Sequence, residues 1–200
     1  MQLVIPEGDF DAYIFDCDGT LADTMPLHYQ AWCAALGVHG CEFPEDLFYS
    51  YGGIPTVKIV ELLNERSGLA MPPEATALHK EELFLEMLAE IRPIEAVVDH
   101  VDRNHGRIPL AVASGGHREI VIRTLKMLGL LEKFEAVVGA EDYQCGKPAP
   151  DPFLEAARRL GCDPARCLVF EDTLIGIQAA TAAGMKSVLV PSRAVQTEAR

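Results

Sequence analysis

The chain is short of positive charge. Against 30 Asp and Glu it carries only 17 Lys and Arg, a formal net charge of −13 over 200 residues. A nucleic-acid backbone or an anionic membrane surface calls for a basic face, so neither is expected as a partner. An anionic small molecule stays open if a local cluster of groups, rather than the field of the whole protein, draws it in. No apolar run approaches the length of a membrane span. The six cysteines (Cys17, Cys33, Cys41, Cys145, Cys162, Cys167) form no C-x-x-C pair, and no export signal is read at the start. They are expected to be reduced, small apolar packing residues in a cytoplasmic protein. No set of His and Cys has the spacing of a zinc site. Repeats and low-complexity tracts are absent, and a hydrophobic content of 49% suits a core of ordinary size.

What is present is most informative near the start. Tyr13-Ile14-Phe15 is a short apolar run of strand formers, followed at once by Asp16-Cys17-Asp18-Gly19-Thr20-Leu21. From about residue 22 to 92 the pattern turns helical. Met25 to Leu36 carries an apolar stripe at Met25, Tyr29, Trp32 and Leu36. Thr56 to Leu69 repeats it, and Pro72-Pro73 opens a third helix through Leu88. From residue 93 strands and helices alternate. Ile108–Ala113, Phe134–Val138, Cys167–Phe170 and Lys186–Val190 read as strands; Arg118 to Leu128, Pro152 to Leu160 and Ile175 to Ala183 read as helices, ending at Gly129, Gly161 and Gly184. Such alternation predicts βαβ units, hence an α/β fold: a Rossmann-like parallel sheet with helices on both faces and a small α-helical cap inserted after the first strand. The expected division is a catalytic core of residues 1–23 and 93–200 and a cap of residues 24–92. The last seven residues or so are expected to fray.

Parallel strands bring their carboxyl ends to one edge, where open α/β sheets bind ligands. Here those ends carry Asp16 and Asp18, Ser114-Gly115-Gly116, Lys147 in the loop Gly146-Lys147-Pro148, and Glu171-Asp172. The set suits Mg²⁺ and a phosphate. Mg²⁺ prefers oxygen ligands, expected from Asp16, Asp172, the Asp18 carbonyl and, through water, Glu171. Asp16 is placed to attack phosphorus, and Asp18 to act as acid and then base. Lys147 supplies positive charge, while Ser114 and the N–H groups of Gly115 and Gly116 are expected to hydrogen-bond phosphoryl oxygens. Each piece alone has a plainer reading. Asp-Gly is a common turn, Ser-Gly-Gly is commonly only a turn, a loop lysine is commonly solvated, and Glu171-Asp172 would also serve as N-cap and first-turn acid of the next helix.

Together and in this order, these segments resemble the four motifs of the haloacid dehalogenase superfamily. Asp16-Cys17-Asp18-Gly19-Thr20-Leu21 is similar to the first, Ser114 to the second, Lys147 to the third and Glu171-Asp172 to the fourth. The resemblance covers nearly the whole chain. An Asp two residues after the nucleophile marks the family's phosphatases and mutases, so the likeness implies Mg²⁺-dependent hydrolysis of a small phosphate monoester through an aspartyl phosphate. Within the superfamily the chain resembles the β-phosphoglucomutase branch, and most of all its sugar phosphatases of the fructose-1-phosphate type. That likeness implies substrate-binding roles for His28, Gly53, Thr56 and Lys80 in the cap. The mutases carry an arginine in the cap loop for a second phosphate; Thr56 stands at the matching position, with Lys58 nearby as a possible substitute. Hydrolysis is therefore expected over isomerisation, with a phosphosugar mutase as the alternative. A monomer is expected.

Overall fold

The computed structural model describes residues 3–52 and 54–191. Gly53 and the expected fraying at the carboxyl end lie outside the described residues. The first strand, β1 (Ala12–Phe15), is followed by helices α1 (Met25–Gly37), α2 (Glu45–Ser50), α3 (Thr56–Ser67) and α4 (Pro73–Glu86). Then come α5 (Glu95–Asn104), β2 (Leu110–Ala113), α6 (Arg118–Met127), β3 (Ala136–Val138), α7 (Asp151–Leu160), β4 (Cys167–Glu171), α8 (Leu174–Ala182) and β5 (Lys186–Leu189), joined in places by short 3-10 turns. The five strands form one all-parallel sheet in the order β3-β2-β1-β4-β5. This is the Rossmann-like architecture that the strand–helix alternation predicts.

Burial on both faces explains why the central strands read as nearly continuous apolar runs. On one face Ile14, Ala111 and Val169 pack against Phe153, Ala156 and Ala157 of α7 and Ala179 and Ala180 of α8. On the other, Phe15, Val112 and Phe170 pack against Val97 and Val101 of α5 and Val121 and Leu125 of α6. Phe15 and Phe170 stack with ring centroids 4.6 Å apart. The helices between β1 and β2 carry an apolar cluster of their own, built from Trp32, Leu36, Phe43, Phe48, Val60 and Leu63. A smaller cluster of Leu27, Ala31, Phe84 and Ile91 reaches Ile120 and Leu128 in and beside α6. The chain leaves the sheet and returns to it side by side: Asp23 N–H donates to the Arg92 carbonyl at 2.8 Å, and Ile94 N–H to the Leu21 carbonyl at 3.0 Å.

Two helices lie beyond the elements expected from the sequence. The six-residue α2 is too short to display a period. Across α5 and its N-cap, Ile94, Val97, Val98 and Val101 do stand at helical spacing, a signal that the reading of this segment passes over. Two strands start later than expected: β2 at Leu110, after Pro109, and β3 at Ala136. The N-cap of α8 is Thr173, whose side chain accepts from Gly176 N–H, and not Glu171-Asp172.

The loop that carries Lys147 is bracketed by an ionic cluster. Arg159 of α7 donates to the Val137 carbonyl at 3.0 Å and pairs with Asp142 and Glu155, each at 2.7 Å. Arg158 first and then Arg159 hold the Glu155 carboxyl down to about 2. A carboxylate depressed in the folded state contributes stability that is complete above its unfolded value and is lost as pH falls toward the folded one. Arg159→Ala is therefore expected to lower unfolding free energy by about 1–3 kcal/mol at pH 7. The deficit relative to wild type should narrow as pH falls below about 4.5. Urea unfolding of both proteins at pH 7 and pH 4 checks this; an equal deficit at both would contradict it.

Candidate active site

Strand register decides which polar groups meet. Phe15 pairs with Phe170 on one side and with Val112 on the other. The next residue, Asp16, donates its N–H to the Phe170 carbonyl at 2.9 Å, which sets it beside Glu171 at the carboxyl edge of the sheet. Residues in register on neighbouring strands face the same way. Asp16 and Glu171 therefore share a side, and Asp172, just past the end of β4, joins them: carboxylate oxygens of the three lie within 4.8 Å of one another, all three residues buried. Lys147 enters from the loop before α7. Its ammonium lies 2.6 Å from Asp16 Oδ1 and 2.9 Å from Glu171 Oε1, and 5.0 Å from the Phe153 ring centroid.

Neighbouring residues hold each acid in place. Glu171 Oε2 accepts from the Thr173 N–H and, at 2.8 Å, from its hydroxyl. Thr20 Oγ1 lies 3.4 Å from Asp172 Oδ1. Two glycines give the acids room. A Cβ on Gly176 would sit 2.0 Å from the Glu171 carboxyl, and one on Gly19 would sit 2.3 Å from Asp172 Oδ2. Gly19 also has φ +84°, a conformation that disfavours any side chain.

Three buried carboxylates facing one ammonium leave negative charge uncompensated. Burial pushes the Asp16 carboxyl up to about 7; the Lys147 ammonium opposes the rise, while the Glu171 and Asp18 charges add to it. Burial alone would push Lys147 down, but Asp16 and Glu171 outweigh it and hold the ammonium charged above its usual range. The donor set consists of hard oxygens only, which fits Mg²⁺ and not a soft metal. Asp16, Glu171 and Asp172 are the residues that would hold it.

Asp18 points elsewhere. Its Oδ1 accepts from Thr24 Oγ1 at 2.7 Å and lies 3.3 Å from His28 Nε2. Its side chain is thus outside the three-acid cluster, and any contribution to a cation is left to its backbone carbonyl. His28 Nδ1 lies 2.8 Å from the buried Lys80 ammonium. An ammonium can only donate, so Nδ1 accepts and Nε2 carries the proton directed at Asp18. Burial and the Lys80 charge keep this imidazole below its ordinary pKa, and its ring stacks on Phe84 at 3.9 Å. Burial would raise Asp18, but the hydrogen bonds from His28 and Thr24 prevail and hold it below the usual carboxylate range.

These groups line one cavity of about 410 Å³ between the sheet edge and the inserted helices. Asp16, Asp18, Ser114, Gly115, Gly116, Lys147, Glu171 and Asp172 form the sheet side, and His28, Thr56 and Lys80 the helical side. Gly53 lies outside the described residues. Two expectations change. Gly116 N–H donates to Ser114 Oγ at 3.0 Å, so it orients that hydroxyl instead of offering itself to a ligand. Lys58 is exposed and paired with Glu61 at 2.7 Å, away from the cavity lining. Sequence reasoning missed Thr24, Thr173, Tyr143 and Glu81. Thr173 carries a readable signal, a Thr just before a helix. Tyr143, which donates to the Ser114 carbonyl at 3.1 Å, and Glu81 carry none, since only folding brings them to the site.

Comparison with known proteins agrees with this geometry. A family model described as haloacid dehalogenase-like hydrolase matches residues 10–184. The chain is 42% identical over 176 residues to the fructose-1-phosphate phosphatase YqaB of Escherichia coli, covering 88% of this chain and 93% of that one. It is 30% identical over 182 residues to a phosphorylated carbohydrates phosphatase of Thermotoga maritima, covering 89% and 83%. Among solved structures, a β-phosphoglucomutase from Clostridium difficile superposes with a TM-score of 0.80 at 27% identity, over 94% of this chain and 88% of that one. A family match over most of the chain's length, joined to a relative of this identity and coverage, shows that the chain belongs to the haloacid dehalogenase-like hydrolases.

Proposed function

We propose that this protein is a Mg²⁺-dependent phosphatase that hydrolyses a small phosphate monoester, a sugar phosphate, through an aspartyl phosphate on Asp16. The observation that carries the reading is the buried cluster in which Asp16, Glu171 and Asp172 converge while Lys147 bonds Asp16 at 2.6 Å. Its sugar-phosphate side rests on the relatives, one acting on fructose 1-phosphate and one on phosphorylated carbohydrates.

Phosphoryl transfer needs an in-line nucleophile and charge compensation more than elaborate covalent chemistry. A bound Mg²⁺ would supply charge neutralisation for the phosphate and for the ionised form of Asp16. Lys147 keeps Asp16 oriented and adds fixed positive charge at the transferring oxygens. The Ser114 hydroxyl, accepting from Gly116, has its own proton left to donate to a phosphoryl oxygen. Asp18 handles protons. The negative charge of an arriving phosphate raises its proton affinity, so it loads a proton for the leaving alkoxide. After that it is the base for the water that attacks the phosphorylated aspartate. Residues 24–92 act as a cap over a core of residues 1–23 and 93–200, bending at the paired segments near 22–25 and 91–94 and excluding water when closed. Thr24 and His28 bond Asp18 directly and Lys80 bonds His28, so these residues couple the position of the cap to Asp18.

The likeness to a β-phosphoglucomutase supports a second reading, a phosphosugar mutase. A mutase must hold one phosphate in the cap while the other reacts, and Thr56 with an outward Lys58 is poorly suited to that. We further propose a monomer in the cytoplasm. The six cysteines are free, and no helix among the described residues is long and apolar enough to cross a membrane.

Fructose 1-phosphate should release inorganic phosphate in the presence of Mg²⁺, and a chelator should abolish release until Mg²⁺ is restored. Conversion of β-glucose 1-phosphate to glucose 6-phosphate, with a trace of the bisphosphate and without free phosphate, would favour the mutase. Asp16→Asn should retain the fold by circular dichroism and lose about a thousandfold or more in kcat; retention of a tenth of the activity would refute Asp16 as nucleophile. Gly176→Ala drives a methyl into the Glu171 carboxyl and so displaces the partner of Lys147. It should lower kcat/KM by about a hundredfold, measured as phosphate release at saturating Mg²⁺.

A further inference from the structure

The cap wall of the cavity carries a carboxylate for which the proposed reaction has no use. Glu81, on α4, lines the same cavity as Asp16 and keeps 17% of its side-chain surface exposed. Its Oε1 accepts from Thr56 Oγ1 at 3.2 Å and from Lys80 Nζ at 3.0 Å. The cations of the cavity lining are therefore committed. Lys147 is held between Asp16 and Glu171, and Lys80 between Glu81 and His28. Among the described residues lining the cavity, no other Lys or Arg faces the cap end.

We propose that Glu81 is a specificity-determining residue. It selects phosphate monoesters whose far end is neutral and hydroxyl-bearing, and it rejects substrates that carry a second phosphate or a carboxylate there. This rests on the phosphatase reading above. Two physical terms act in the same direction. A second anionic group brought against Glu81 meets a like charge in a partly desolvated cavity with Lys80 already neutralised, which is a repulsive element against the wrong substrate. A sugar hydroxyl, in contrast, finds complementary partners. The carboxylate accepts from it, and the Thr56 oxygen, having donated its proton to Glu81, has lone pairs left to accept as well. Trp32, Phe48 and Ile54 line the same space and offer apolar surface to the C–H faces of a sugar.

The test compares fructose 1-phosphate with fructose 1,6-bisphosphate, which share one phosphorylated end and differ in charge at the other. Wild type should favour the monophosphate in kcat/KM by about a hundredfold. Glu81→Gln keeps an oxygen for Thr56 and Lys80 and removes the charge. It should cut that preference about tenfold, by raising kcat/KM for the bisphosphate, whereas Glu81→Asp should preserve it. A purely structural role for Glu81 would lower both substrates alike and leave the ratio unchanged, and that result overturns the proposal. Equal use of the two esters by wild type overturns it too, and needs no variant to fold. Absence of phosphate release from either ester instead refutes the phosphatase reading, so the two failures are told apart.

Discussion

The Lys147 ammonium, buried between Asp16 and Glu171, is the constraint around which the rest of the site is arranged. Charges taken out of water are costly unless paired and hydrogen-bonded, and removal of one member strands the others. The cluster meets this demand only in part. Lys147 satisfies one oxygen each of Asp16 and Glu171, Thr173 holds the second oxygen of Glu171, and Thr20 approaches Asp172. The carboxylates still outnumber the ammonium; burial first, and then the charges of Glu171 and Asp18, raise Asp16 to about 7 against the pull of Lys147. A hard divalent cation would balance the excess of negative charge. The buried acids therefore leave room, electrostatically, for a cation at this edge of the sheet.

The glycines at the sheet edge follow from the same constraint. Gly176 lies in the first turn of α8 where the Glu171 carboxyl passes, and Gly19 leaves space for Asp172. Both are requirements of closeness. A packed core tolerates methyl-sized changes by small shifts, but a carboxylate held by Lys147 and Thr173 has no alternative position without loss of its partners.

The helical segment adds a second charged network, which holds Asp18 apart from the three-acid cluster. Lys80 fixes the protonation of His28, His28 and Thr24 fix Asp18, and Glu81 ties Lys80 to Thr56. One side of this network bonds Asp18, and the other, Glu81 with Thr56, lines the cavity from the inserted helices. On the proposed reading, a single substitution in it would alter both rate and selectivity. For that reason ratios between substrates report on Glu81 better than absolute rates do.

The sequence by itself determined the sheet, the inserted helical block and the edge at which Asp16, Asp18, Ser114, Lys147 and Glu171-Asp172 gather. Apolar runs, periodic stripes and strand-end polar residues are local signals, and parallel strands convert them into a shared edge without further information. The same local reading passes over α5, although Ile94, Val97, Val98 and Val101 stand at helical spacing, and it takes Glu171-Asp172 for the cap that Thr173 supplies. Only the tertiary structure decided how the charges pair. The separation of Asp18 from the three-acid cluster, the engagement of Gly116 by Ser114, the outward turn of Lys58 and the arrival of Glu81 beside Thr56 each depend on contacts between helices or loops distant from the strand ends. No periodicity encodes such contacts, because they are set by packing angles between elements and by where a buried charge can find a partner.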